Sequence, residues 1–112
     1  MSENITQKIK LLVMEMGIPV NIIGYTYIVE SLKYMFEENH RYIFLNEIYT
    51  RISKNYNTSE ECIDVSIRNG IKKSKINKTA KFKKLFKFCD YAPSNSVFLN
   101  TLKEVLFIEH GV

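Results

Sequence analysis

Apolar residues recur at spacings of three and four from one end of the chain to the other, and strict alternation never lasts long enough for a half-buried strand. That period restricts the chain to an all-α fold. With 112 residues, 46% of them hydrophobic and only 4 Gly and 2 Pro, there is material for one domain with a real core and none for a second.

The punctuation divides the pattern into six helices. Asn4 and Gln7 resemble a capping box opening a first helix with the stripe Ile5, Ile9, Leu12, Val13 and Met16, which Gly17 can close and Pro19 keeps from resuming. A second helix is expected from about Asn21 to Asn39, with Ile23, Tyr27, Ile28, Leu32, Met35 and Phe36 on one side and Gly24 weakening its first turn. The third runs from about Phe44 to Tyr56 on Leu45, Ile48, Tyr49, Ile52 and Tyr56. Thr58-Ser59-Glu60-Glu61 has the order of a capping box in which Thr58 caps, so the next helix is expected from Ser59. Its inner stripe would be Cys62, Ile63, Ser66, Ile67, Gly70 and Ile71, and small Ser66 and Gly70 would let a neighbouring helix approach closely. Ile76 to Thr79 reads as a loop, Thr79 as the cap of a short helix with Phe82, Leu85, Phe86 and Phe88, and Ser94 or Ser96 as the cap of a last helix on Phe98, Leu99, Leu102, Val105 and Leu106.

Several function classes drop out. A membrane span needs roughly 20 consecutive apolar residues, yet the most apolar stretch, Ile9 to Ile23, is interrupted by Lys10, Glu15, Asn21 and Gly17-Ile18-Pro19. The opening Met1-Ser2-Glu3-Asn4 lacks the positive start of a secretory leader, so a cytoplasmic location is expected. Cys62 and Cys89 lie 27 residues apart without a Cys-x-x-Cys spacing, and His40 and His110 have no clustered ligands, so neither a disulfide framework nor a metal site is indicated. No nucleophile, base and orienting acid form a motif and there is no glycine-rich phosphate loop. The expectation is therefore no enzyme, no cofactor and no small-molecule substrate. The 7 Tyr and 7 Phe invite base stacking, but most fall on the apolar helix faces and are assigned to the core.

Charge is unevenly distributed. Residues 1–64 carry net −3 and residues 65–112 net +7, and from Lys72 to Lys87 eight lysines follow one another with no acid between them. A cationic patch of that density is the electrostatic footprint of a polyanion binder, although like-charge runs also serve only to solubilise.

Next to it lies a helix pair with helix-turn-helix proportions, at about residues 44–75. A helix ending near Tyr56, a short turn with Asn57, which tolerates a left-handed backbone, and a capped helix over 59–75 would place that second helix in a major groove. Glu60, Glu61, Asp64, Val65, Arg68, Asn69 and Lys72 are then its exposed candidates. Asp64, Val65, Arg68 and Asn69 are expected to read bases, Val65 through a thymine methyl. Lys54, Thr58, Ser59, Lys72, Lys73 and Lys75 are expected to hold phosphates of double-stranded DNA.

The stretches Gly17-Ile18-Pro19, Gly24-Tyr25-Thr26-Tyr27-Ile28, Leu45 to Tyr49, Ser53-Lys54-Asn55-Tyr56-Asn57-Thr58, Ser66-Ile67-Arg68-Asn69-Gly70-Ile71 and Pro93-Ser94-Asn95-Ser96-Val97-Phe98-Leu99 resemble, in order and spacing, the C-terminal DNA-binding domain of the sporulation response regulators, the stage-zero sporulation protein A family. The resemblance implies a six-helix fold with a helix-turn-helix, binding to a short promoter box, and pairing of two domains on tandem sites. Partners expected from it are DNA and either a second copy or a sporulation regulator. It starts near residue 5 with no phosphoacceptor receiver domain before it, so a stand-alone effector is expected.

The family segment R-V-E-R-A-I-R-H-A-I has its last arginine matched by Arg68 and its glutamate by Asp64, while its first two arginines are replaced by Cys62 and Val65. Each good arginine–guanine contact discriminates by roughly 1–3 kcal/mol, and two such readers are gone. Glu60 and Glu61 suit the helix dipole but repel phosphates. Two functional readings follow: a sequence-specific transcription regulator, or an interaction module that kept the fold, lost the reader and modulates the full-length sporulation regulator or another protein, with the apolar last helix, Phe98 to Ile108, as its contact surface.

Overall fold

The computed structural model describes residues 3–38, 44–87 and 90–110. Within them lie six helices, α1 (Glu3–Glu15), α2 (Ile23–Glu37), α3 (Leu45–Tyr56), α4 (Glu60–Asn77), α5 (Ala80–Phe86) and α6 (Asn95–His110), and no strand. The all-α, six-helix reading holds. Phe88, Cys89, His40 and Asn39 fall outside the described residues, so the expectations placed on them have no structural counterpart here.

α2 is the central helix, touching α1, α3, α4 and α6. The stripes meet there: Ile9, Ile28, Leu32, Ile48, Ile52, Ile63, Ile67, Phe98 and Leu99 have no accessible surface. Phe86 stacks on Phe98 at 5.4 Å between centroids, which fastens α5 to α6. Two members of the expected stripes sit at the margin instead, Ile23 at 51% exposed and Tyr56 at 40%. Tyr56 nevertheless turns its ring edge-on to Tyr27 at 5.7 Å.

The tightest contact is between α2 and α4. A Cβ on Gly24 would come within 3.0 Å of the backbone carbonyl oxygen of Ser66, nearer than Cβ atoms stand to anything. Gly24 is therefore more than a weak spot in a helix; its missing side chain is what admits α4. Gly70 lies in the same crossing, where the atom nearest a Cβ would be the Cδ1 of Ile28 at 3.1 Å, the flexible end of a side chain. Ser66 and Gly70 thus do provide the close approach expected of them, and Gly24 is their counterpart on α2.

Helix ends follow side-chain chemistry. Gly17, at φ +79, closes α1. The hydroxyls of Thr79 and Ser94 accept the amides of Phe82 and Val97, both at 3.2 Å, capping α5 and α6. Three expected boundaries are corrected. Asn4 lies inside α1, which begins at Glu3, and does not cap it. α2 begins at Ile23 rather than Asn21. α4 runs on to Asn77 through half of the expected loop, because Ser74 donates to the Met16 carbonyl and the Asn77 amide donates to the Gly17 carbonyl at 2.6 Å, tying its last turn to the end of α1.

Candidate nucleic-acid interface

α3 and α4 form the helix-turn-helix, and the turn works through three consecutive residues. Asn57 takes the left-handed conformation, φ 51 and ψ 53, which an asparagine bears better than most residues. The amide of Thr58 then donates back to the Ser53 carbonyl at 3.2 Å, closing α3 with the bond of a Schellman motif. Thr58 is consequently part of the first helix's ending, and the cap of α4 passes to Ser59, whose Oγ accepts from the Cys62 amide at 3.0 Å. The expected cap is off by one residue for that reason.

On α4 the buried arc is set by Ile63, Ile67, Gly70, Ile71 and Ser74. Cys62, expected in the inner stripe, is exposed: it precedes Ile63 by about 100° of helical turn and falls on the shoulder of that arc. The outward side carries Val65, Arg68, Asn69 and Lys72 within an arc of about 100°, all four exposed. Four of the expected DNA residues are thus brought onto one surface. Lys73 is exposed beside them and Lys75 is half-buried. Lys54 is exposed in the last turn of α3, and Thr58 and Ser59 stand in the turn itself.

Asp64 differs from its neighbours. It is only half-exposed, and both carboxylate oxygens are engaged. Oδ1 accepts from the Tyr49 hydroxyl at 3.1 Å and the Asn95 Nδ2 at 3.0 Å, while Oδ2 takes the Nη2 of Arg68, one helical turn on. Asn95 Nδ2 also approaches the Asp64 carbonyl and the Tyr49 hydroxyl, each at 3.1 Å. Tyr49 and Asn95 are themselves 7% and 8% exposed, so this is a buried polar knot joining α3, α4 and the first turn of α6. Burial, reinforced by the negative charge and hydrogen bond of Asp64, pushes the Tyr49 phenol up to about 12, Asn95 acting in the opposite sense. Neither Tyr49 nor Asn95 is an expected site residue. Tyr49 counted as stripe because its ring is apolar, and Asn95 had a place only in the family resemblance.

The acids at the mouth of α4 part ways. Both are exposed; Glu60 receives the Thr50 hydroxyl at 3.2 Å and so leans back on α3, while Glu61 stands at the first turn on the side of α4 that carries Arg68. Beside Arg68 and Lys72 a cleft of about 430 Å³ opens between α4 and residues 92–96.

The family model described as Sporulation initiation factor Spo0A C terminal matches residues 9–106, from the middle of α1 to the last turns of α6. The chain belongs to the Spo0A C-terminal family. This is a family of DNA-binding effector domains with a regulatory role, not a known family of enzymes. The Spo0A C-terminal match spans the whole helix-turn-helix and the Tyr49–Asp64–Asn95 knot. No helix among the described residues is long and apolar enough to cross a membrane.

Proposed function

We propose that the domain is a sequence-specific DNA-binding transcription regulator that inserts α4 into the major groove. The observation that carries this reading is Arg68: exposed on the outer face of the second helix of a helix-turn-helix, with its guanidinium held in place by Asp64. Arg68 reads a guanine edge, Asn69 an adjacent base and Val65, 41% exposed, a thymine methyl. Asp64 contributes to base reading by aiming Arg68. Lys54, Thr58, Ser59, Lys72, Lys73 and Lys75 fix register on phosphates. Pairing with a second copy on tandem sites accompanies this reading.

The test is fluorescence anisotropy on the family's promoter-box duplex and a scrambled duplex. Arg68→Ala should lower affinity for the preferred duplex about 5- to 150-fold, the equivalent of roughly 1–3 kcal/mol, and lower affinity for scrambled DNA clearly less. Equal loss on both duplexes refutes the assignment. A second reading, an interaction module that modulates a sporulation regulator, draws on Cys62 and Val65, which put a thiol and an exposed apolar side chain where the family segment has arginines. It predicts retention of the purified regulator at micromolar concentration with no binding to any duplex.

A further inference from the structure

The cleft beside Arg68 does not end at Lys72. It shares Lys72 and Ala92 with a second hollow of about 440 Å³, and that one shares Lys75 and Lys78 with a third of about 270 Å³ reaching Lys83 on α5. Together they make a trough along the outer edge of α4 and onto α5, with Arg68, Lys72, Lys75, Lys78, Lys83 and Lys87 along it. Against these six cations stand Asp64, already paired with Arg68, and Asp90. We propose that this trough is a second DNA contact, which takes the phosphodiester backbone flanking the site that α4 reads.

Three features argue for it. The lysines converge on connected hollows instead of scattering over a convex face, as solubilising charge would. The trough is continuous with the proposed base-reading surface, since Arg68 belongs to both and Lys72 stands one turn on from it on the same side of α4. A recognition helix enters the groove by its N-terminus, which sends the C-terminal half of α4 outward across the sugar–phosphate wall, and Arg68 to Lys78 spans about 15 Å, or four to five base steps of strand at about 3.4 Å each. The third is Lys78 itself. It ends α4 in the left-handed conformation, φ 47 and ψ 51, where glycine is the ordinary occupant and a lysine is held at a conformational cost. That cost is explained if the cation is needed there.

The inference rests on the DNA-binding reading but not on the identity of the box, because phosphate contacts are insensitive to sequence. The experiment measures the salt dependence of binding to random-sequence duplexes of about 12 and about 24 base pairs, close to one and two helical turns, corrected for the number of registers. Lys78→Gln/Lys83→Gln is compared with Lys10→Gln/Lys84→Gln, which removes equal charge outside the trough; all four lysines are exposed, and circular dichroism melts confirm folding. Wild type should show a steeper slope on the longer duplex. The trough variant should lose about 2 from that log–log slope, about a tenfold difference between 50 and 200 mM salt, and little on the shorter one. The control should change neither. A trough variant with the wild-type slope on the longer duplex, or a control that loses as much, overturns the inference while base reading by Arg68 stands. Absence of wild-type binding to either duplex at low salt overturns both.

Discussion

Gly24→Ala puts the architecture under its most direct strain. The three atoms nearest the added methyl would be the carbonyl oxygen of Ser66, its carbonyl carbon at 3.3 Å and the amide nitrogen of Gly70 at 3.5 Å. All belong to the backbone of α4, so no side chain can rotate out of the way and the helix has to move as a body. Overpacking of this sort costs typically about 1–3 kcal/mol, and more when backbone must shift. Alanine returns about 1 kcal/mol through its helix propensity. With the backbone shift placing the cost at the upper end of that range, the net expectation is a loss of about 2 kcal/mol, a fall in Tm on the order of 10 °C for a domain of this size.

Gly70→Ala supplies the comparison at the same crossing. Its methyl meets the flexible end of Ile28 at 3.1 Å, then Ile18 Cγ2 at 3.8 Å and the Gly24 carbonyl carbon at 3.9 Å, which are ordinary contacts. Here the propensity gain of about 1 kcal/mol offsets the repacking, and stability should stay within about 1 kcal/mol of wild type. Thermal and urea melts followed by far-ultraviolet circular dichroism measure both variants. A Gly24→Ala protein as stable as wild type, or less perturbed than Gly70→Ala, would refute the reasoning that a backbone obstacle governs this contact.

Ser59→Ala should cost about 0.5–2 kcal/mol as the loss of an N-cap and Thr58→Ala clearly less; urea midpoints of the two variants decide, and the reverse order would return the cap to Thr58. Tyr49 adds an alkaline dependence: its folded pKa of about 12 lies above the ordinary 10, so the folded form keeps a proton that the unfolded chain releases. Its contribution is whole below pH 10 and is lost as pH rises toward 12, at most about 2–3 kcal/mol, and the difference between wild type and Tyr49→Phe in urea melts across that window should shrink accordingly; a constant difference excludes the buried phenol as its source. Asp64→Asn should weaken discrimination between preferred and scrambled duplexes less than Arg68→Ala does, because it loosens the aim of the guanidinium without removing it; anisotropy with equal losses for the two variants would mean that Asp64 touches a base directly.

How far residues alone disclosed this molecule depends on the range of each interaction. Gly17, Thr79 and Ser94 act within three residues of themselves, and their roles are legible from local order. Thr58 and Ser59 are two hydroxyl residues in succession, and only the Schellman closure at Asn57 decides between them. The Cys62–Ser66–Gly70 line looks continuous at a spacing of four, but such a line drifts around a helix of 3.6 residues per turn and its first member comes out on the shoulder. The knot of Tyr49, Asp64 and Asn95 joins residues 15 and 31 positions apart, beyond any periodic pattern. Gly24 shows the same limit, since a glycine's missing side chain has meaning only against the helix that fills its place.

The Asp64–Arg68 pair raises the question of whether an arginine already bound to a carboxylate is free to read a base. The magnitudes answer it. Arg68 is 52% exposed and Asp64 34%, and exposed ion pairs at one helical turn contribute about 0.3–0.5 kcal/mol, whereas a bidentate arginine–guanine contact discriminates by about 1–3 kcal/mol. The carboxylate engages Nη2, while a guanidinium has five N–H donors in a planar fork. The remaining donors can meet guanine without breaking the pair. What Asp64 supplies is less binding energy than a limit on where a long side chain can go. Because Tyr49 and Asn95 hold Asp64 from α3 and α6, that limit is set by the buried part of the fold and not by the surface of α4. The base reading proposed for Arg68 would in this way be tied to the packing of three helices, and a substitution at Asn95, far from α4 along the chain, would act on the same guanidinium.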